Sequence, residues 1–267
     1  MNEQQTADVI DYYTTRYRED LRLAGRPSAR LERIRTTELL HQLLPAPGAR
    51  VLDVGGGPGV YARLLTAAGH QVRLLDLVPA HVELARTGQP PVPAAVADAR
   101  ALPEPDDGYD ATLLLGPLYH LTERADRVAA LTEAVRVTRP GGHVAAAVIS
   151  RFAGPMDFTA TGRMQGVWFD ETVALHTSGV NNASIGFTVA YFHRLEELLD
   201  ECRAAGLRDV VVHGLEGPAW TAAEAAVGTD REQSTFDGAL HLARVLSSEP
   251  GMVAASGHLL AVGRVSA

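Results

Sequence analysis

The sequence predicts a doubly wound α/β fold, a mostly parallel sheet with helices on both faces. Three observations carry this. Short β-rich runs alternate with helical patterns along most of the chain. Several of those runs, such as the LLLG that ends YDATLLLG, are continuously apolar, as strands covered on both faces are. The first run passes directly into a glycine-rich turn, VLDVGGGPG at residues 51–59, and then into a helical pattern.

The elements follow in order. ARVLDV (49–54) is the first strand, and VYARLLTAAG (60–69) carries a helical apolar face of Tyr61, Leu64, Leu65 and Ala68, with Gly69 as its stop. QVRLLDL (71–77) is the second strand. Pro79 opens the helix PAHVELART, which Gly88 ends. AAVADA (94–99) is a short third strand, DDG a turn, and YDATLLLG (109–116) a buried fourth strand. RADRVAALTEAVRV (124–137) is an amphipathic helix, RPGG (139–142) a turn, and HVAAAVIS (143–150) a fifth strand. FHRLEELLDECRAAGL reads as a helix ending at Gly206, and RDVVVHG and HLLAVGRV as two final strands, which makes seven. Three pieces stand outside the alternation. Residues 1–47 look helical and form a cap. Residues 152–190 and 217–250 are insertions expected to form a lid over the acceptor site, and residues 48–267 make up the main domain.

Composition bounds the chemistry. A chain of 267 residues, 46% hydrophobic, suits one α/β domain with elaborations. A formal charge of −8 with no basic cluster argues against a nucleic acid backbone as partner. There is no lysine: all 24 basic residues are arginine, which excludes Schiff-base chemistry, a pyridoxal anchor and the P-loop lysine. The single cysteine, Cys202, reads as a small packing residue in a helix rather than a nucleophile. The start MNEQQTADV is polar and no apolar run reaches the length of a membrane span, so a cytoplasmic protein without membrane contact is expected. The ten histidines lack close metal-ligand spacing, so no metal is expected. No G-x-S-x-G elbow is present.

The glycine loop is not a dinucleotide fingerprint, because Val60 stands where the third glycine of G-x-G-x-x-G belongs. The pattern is D-x-G-x-G-x-G, with Asp53, Gly55, Gly57 and Gly59. Glycines let the backbone approach a ligand closely, and an acid at the strand end suits a cationic group. Asp76 ends the second strand, where a carboxylate accepts from ribose hydroxyls. Asp98 ends the third and is within reach of an adenine amino group. A ligand with an amine, a ribose and an adenine but no phosphate fits this acidic set, and S-adenosylmethionine is such a ligand.

At this point the sequence resembles the class I S-adenosylmethionine-dependent methyltransferases. VLDVGGGPG is similar to their first motif, Asp76 to their second, DAR (98–100) to their third, LLLGPLYHL (113–121) to their fourth, and RVTRPGGHV (136–144) to the turn before their fifth strand. The resemblance runs from about residue 49 to 150, and more loosely over 191–265, and its details suggest a bacterial small-molecule subgroup. It implies a seven-stranded Rossmann-like sheet with the last strand antiparallel. It implies S-adenosylmethionine as cofactor and a small-molecule acceptor methylated at O or N, less readily at C. It also implies roles: Gly55, Gly56 and Gly57 against the methionyl part, Asp76 on the ribose, Leu77 beside the adenine, Asp98 and Ala99 at the adenine edge, and Leu115 next to the cofactor. Asp53, Asp76 and Asp98 have plain alternatives as a loop cap, a surface acid and a turn residue.

His120, just past the fourth strand, is the candidate general base, since an ordinary imidazole pKa near about 6.5 suits proton removal at neutral pH. Tyr119 beside it shares the assignment. In the first helical piece, Tyr12, Tyr13, Arg16 and Tyr17 precede Arg33 and Arg35. Tyr13 is the candidate to cover the sulfonium and Arg35 to pair with the cofactor carboxylate. Trp168, Phe169, Tyr191, Phe192 and His193 are candidate acceptor-pocket or core residues. Three competing readings remain: a cofactor-binding enzyme of this fold that does not transfer methyl, a regulatory binding protein, and an NAD-dependent dehydrogenase.

Overall fold

The computed structural model describes residues 3–16, 19–23, 25–182 and 187–266. Seven strands form one sheet: β1 (Arg50–Val54), β2 (Gln71–Asp76), β3 (Ala94–Val96), β4 (Tyr109–Leu114), β5 (Thr138–Ile149), β8 (Leu207–Gly214) and β9 (His258–Val265), in spatial order β3-β2-β1-β4-β5-β9-β8. β1, β2, β3, β4 and β5 run parallel, whereas β9 is antiparallel to both of its neighbours, β5 and β8. The expected seven strands and the reversed last strand are thus present.

Alternation of side chains along each strand makes two cores. Leu52, Leu75 and Leu114 pack on one face, and Val51, Leu74 and Leu113 on the other. Helices cover both faces, which is why these strands read as unbroken apolar runs. The helices between strands are α4 (Val60–Ala67), α5 (Pro79–Thr87), α6 (Arg124–Val137) and α9 (Leu195–Ala204). Gly69, two residues beyond α4, sits at φ 90°, which only glycine adopts without strain.

The chain leaves β1 through β2 and β3, then returns to pair β4 with the opposite edge of β1. In such sheets the crevice beyond the carboxyl ends, where the order reverses, receives ligands. Register aligns those ends: Val54 pairs with both Leu75 and Leu114.

Three differences from the sequence reading are local. The third strand stops at Val96, because Asp98 turns the chain: its carboxylate accepts the Arg100 amide at 2.9 Å. The RPGG segment lies within β5, but Thr138 pairs with Tyr109 and the next pair is His143 with Ala111, so those four residues bulge out of the ladder. The first insertion is not featureless. It holds α7 (Ala153–Ala160), α8 (Val167–Ser178) and a hairpin of β6 (Val180–Asn181) with β7 (Ala190–Tyr191). The second holds α10 (Trp220–Ala225) and α11 (Glu232–Val245). Before β1 lie α1 (Glu3–Asp11), a π-helical turn at Tyr12–Arg16, α2 (Glu19–Arg22) and α3 (Pro27–Leu43). Tyr17 falls outside the described residues.

Candidate functional site

The glycine loop is built by close approach. A Cβ on Gly55, whose φ is 67°, would meet the Pro117 ring at 2.7 Å. A Cβ on Gly56 would lie 2.5 Å from Asp53 Oδ2 and 2.7 Å from Leu74 Cδ1. Neither position has room for a side chain, so the loop folds onto the end of β1 with its backbone facing the crevice.

Three carboxylates end the first three strand segments, and their surroundings differ. Asp53 is 1% exposed and neither of its oxygens has a hydrogen bond among the described residues. Burial, and then the charge of Asp76, push its carboxyl up to about 7. Asp76 is also buried but satisfied: it accepts the amides of Gly57 and Val78, each at 2.8 Å, and its Oδ1 lies 3.3 Å from His81 Nδ1. It therefore braces the glycine loop from the neighbouring strand. Asp98 is paired with the Arg100 guanidinium at 2.7 Å, and that hydrogen bond holds its carboxyl below the usual range.

These groups open on a cavity of about 960 Å³, counting the space at its mouth. Gly55, Gly56, Gly57, Leu77, Ala99 and Leu115 line it, together with the three acids. Tyr13, carried in by the π-helical turn, closes one side. Its hydroxyl is 3.0 Å from His120 Nε2, and its ring stands edge-on to His81 and His120 at 5.2 and 5.4 Å. His120 sits in the 3₁₀ turn Pro117–His120 after β4, with Tyr119 packed against it at 4.7 Å. Its Nδ1 has no partner among the described residues.

Two expectations are corrected here. His120 does not keep an ordinary imidazole pKa: burial, opposed by Asp76 and aided by His81, lowers it to about 4. The ring is neutral at pH 7 and holds a transferred proton weakly. Arg35 does not reach the cavity. It is buried in α3, ion-paired with Glu38 and donating to Ser247 Oγ at 3.0 Å, near the α11 side of the molecule. Arg22 lines the cavity instead, with Nε on Glu19 at 2.6 Å and its fork on Glu32 at 2.6 and 2.9 Å.

Sequence reasoning missed Arg22, Glu19 and His81. His81 was findable, because it falls in the first turn of the helix that follows Asp76. Arg22 had no signal to separate it from other arginines in its segment. Cys202 is fully buried and burial pushes its thiol up to about 12, in keeping with a packing role. His193 is buried against Glu201 at 3.3 Å, and Arg127 holds the same carboxylate at 2.7 Å. It therefore belongs to the core. Trp168 packs on Phe158, and Phe169 is exposed.

A second cavity, of about 1,300 Å³ on the same measure, adjoins the first. Tyr13, Glu19, Arg22 and Tyr119 line both. Phe158, Phe187, Phe192 and Trp220 add aromatic walls, so both insertions contribute.

Residues 51–142, the stretch from the glycine loop to the bulge in β5, match the methyltransferase domain family. The matched segment is 92 of the 267 residues. It is the part of the chain that holds the glycine loop, the three acids and His120. A demethylmenaquinone methyltransferase of Renibacterium salmoninarum is 35% identical over 109 residues, 41% of this chain and 44% of that one. A ubiquinone/menaquinone C-methyltransferase of Bordetella parapertussis is 30% identical over 161 residues, 57% and 59% of the two chains. The chain thus spans about half the length of the curated relatives it matches. Among solved structures, an S-adenosylmethionine-dependent methyltransferase of Thermotoga maritima, possibly a histamine N-methyltransferase, superposes with TM-score 0.57. It is 17% identical, and the match covers 89% of this chain and 92% of that one. This shows that the chain shares the fold of that structure. No helix among the described residues is long and apolar enough to cross a membrane.

Proposed function

We propose that this protein transfers a methyl group from S-adenosylmethionine to a small-molecule acceptor. The carrying observation is Asp53, a carboxylate buried at the end of β1 with neither oxygen paired, beside a loop with no room for side chains. An unpaired buried carboxylate is costly, and a cationic amine delivered to this point satisfies it. The residues fit the cofactor in other respects. The amides of the loop and Asp53 would take its amino-acid end. Asp76 Oδ2 keeps a lone pair for a ribose hydroxyl beside the Gly57 amide it already accepts, whereas Oδ1 is taken by the Val78 amide and His81 Nδ1. Leu77, Ala99 and Leu115 offer apolar surface to an adenine, and Asp98 its carboxylate edge. When bound, the cofactor supplies a methyl group on a cationic sulfur, ready for in-line displacement.

The chain's own contribution is positioning. Two cavities meet at Tyr13 and Tyr119, so donor and acceptor are brought together at a wall of aromatic rings. Alignment of this kind contributes on the order of 7–11 kcal/mol to such a reaction. His120, neutral and held at its Nε2 by the Tyr13 hydroxyl, positions that hydroxyl between the two cavities rather than taking a full proton. An acceptor that is already acidic suits the site better than one needing a strong base.

Calorimetric titration with S-adenosylmethionine, S-adenosylhomocysteine and NAD tests the reading, on wild type and on Asp76→Ala and Asp76→Asn. Binding of the adenosyl ligands that both variants weaken at least about tenfold, with transfer of label from a methyl-labelled donor, supports it. Binding of NAD alone, or adenosyl binding indifferent to Asp76, overturns it.

A further inference from the structure

The second cavity contains a polar assembly that cofactor binding does not use. His258, the first residue of β9, lines it with its side chain 24% exposed. Nδ1 lies 2.6 Å from Glu216 Oε1 and 3.7 Å from Glu32 Oε2. Glu216 is 1% exposed and fully engaged: its other oxygen accepts Ser256 Oγ at 2.7 Å and the His258 amide at 2.8 Å. Nδ1 is therefore the donor to Glu216, and the ring cannot turn. Nε2, on the opposite edge, has no hydrogen bond among the described residues, and the ring lines the cavity.

The charges around it are distributed unevenly. Arg22 faces the same cluster but binds Glu19 and Glu32. Arg26 is paired with Asp157 and Glu224, and Arg163 with Asp157. Each arginine lining this cavity thus has a carboxylate partner. His258 carries a donor on the edge that its own carboxylates do not reach. Burial opposes protonation of the ring, but Glu32 and Glu216 outweigh it and raise the pKa to about 9. At neutral pH both ring nitrogens then carry protons, and Nε2–H is a charged donor.

Much of the remaining lining is aromatic. Tyr12, Tyr119, Phe158, Phe187, Phe192 and Trp220 surround the space, with Tyr12 and Phe187 edge-on at 6.0 Å. Such rings favour a planar guest. We infer that the second cavity takes a planar acceptor bearing an anionic oxygen, of carboxylate or phenolate type, and that His258 Nε2–H binds that oxygen. The inference deepens the methyl-transfer reading and rests on it. It fits a neutral His120, since an acceptor held as its anion needs no strong base.

Three probes of one shape separate the possibilities: 2-naphthoate, naphthalene-2-carboxamide and 2-naphthylmethylamine, titrated calorimetrically into protein saturated with S-adenosylhomocysteine. In wild type, 2-naphthoate binds at least about tenfold more tightly than the carboxamide, and the amine binds most weakly. His258→Asn keeps a donor toward Glu216 but removes the Nε2 edge, so the preference for the anion disappears while S-adenosylhomocysteine affinity is kept. His258→Gln, which restores a neutral donor, recovers part of it and guards against a folding defect in the first variant. Preference for the amine, an anion preference that survives His258→Asn, or no binding by any probe overturns the inference. The S-adenosylhomocysteine titration in the same samples tells that failure from failure of the methyltransferase reading, which predicts adenosyl binding whatever the naphthyl probes do.

Discussion

Asp53 ties cofactor affinity to pH in a way that can be worked from the structure. In the ligand-free protein its carboxyl is pushed up to about 7 by burial and by Asp76. A bound ammonium group favours the ionised form and returns the pKa toward the ordinary carboxylate value of about 3.9. Between those values, binding must release the proton. Affinity for S-adenosylhomocysteine is therefore full above pH 7 and falls about tenfold for each unit below it. At pH 5 the loss is about 100-fold, or roughly 2.7 kcal/mol at about 1.36 kcal/mol per unit. The ligand's own amino group, a free amine more basic than a peptide terminus, stays charged across that window. His120, at about 4, titrates below it. Calorimetry from pH 5 to 8 in buffers of different ionisation enthalpy reads both the affinity and the proton released. In Asp53→Asn the slope vanishes and affinity is low throughout. A flat wild-type profile, or the same slope in Asp53→Asn, refutes the assignment. The linkage has a second face. A carboxyl whose folded pKa exceeds its unfolded value loses stability as pH rises from about 4 to 7, here by on the order of 4 kcal/mol. Ligand-free Asp53→Asn should accordingly melt above wild type at pH 8 and lose that advantage at pH 4.

Other expectations follow from the same geometry. Gly56→Ala drives a methyl group into Asp53 and Leu74, so it should cost roughly 1–3 kcal/mol of stability by denaturant melt and weaken S-adenosylhomocysteine binding at least about tenfold. His120→Gln should lower turnover by less than the roughly 10²-fold minimum of a lost general base. The wild-type rate profile should show no inflection from His120 between pH 5 and 8, and an inflection there that His120→Gln abolishes would restore the base. Arg35→Ala breaks the links to Glu38 and Ser247. It should lower the melting temperature while leaving cofactor affinity within about twofold, since surface-remote sites act independently.

The sheet was legible because β1, β2, β4 and β5 are buried on both faces, and burial writes itself as unbroken apolar runs. The loop was legible because close backbone approach leaves glycine as the residue that fits. Asp76 was legible from its place at the next strand end. What failed depends on three-dimensional neighbours. Arg35 and Arg22 both lie in polar helical stretches, and no periodicity says which of the two faces the crevice. The pKa of His120 is set by its burial beneath Tyr13, contributed from 107 residues earlier in the chain. The reading of Asp98 as an adenine-edge acid or a turn residue leaves out Arg100, which pairs with it from two residues on. The first insertion gave a weak pattern because α8 leaves Val167, Phe169 and Val173 exposed, which blurs the apolar stripe that marks a helix.

On the proposed reading, Tyr13, Glu19, Arg22 and Tyr119, which line both cavities, form a party wall, with the cofactor's room on one side and the acceptor's on the other. Neither tenant can settle without leaning on the same four side chains. By thermodynamic reciprocity, whatever factor the first ligand applies to the affinity of the second is returned to it in full. On that reading the protein would sense that both substrates are aboard without a separate effector site, and an acceptor analogue that tightens S-adenosylhomocysteine binding would report on the chemistry of its own room.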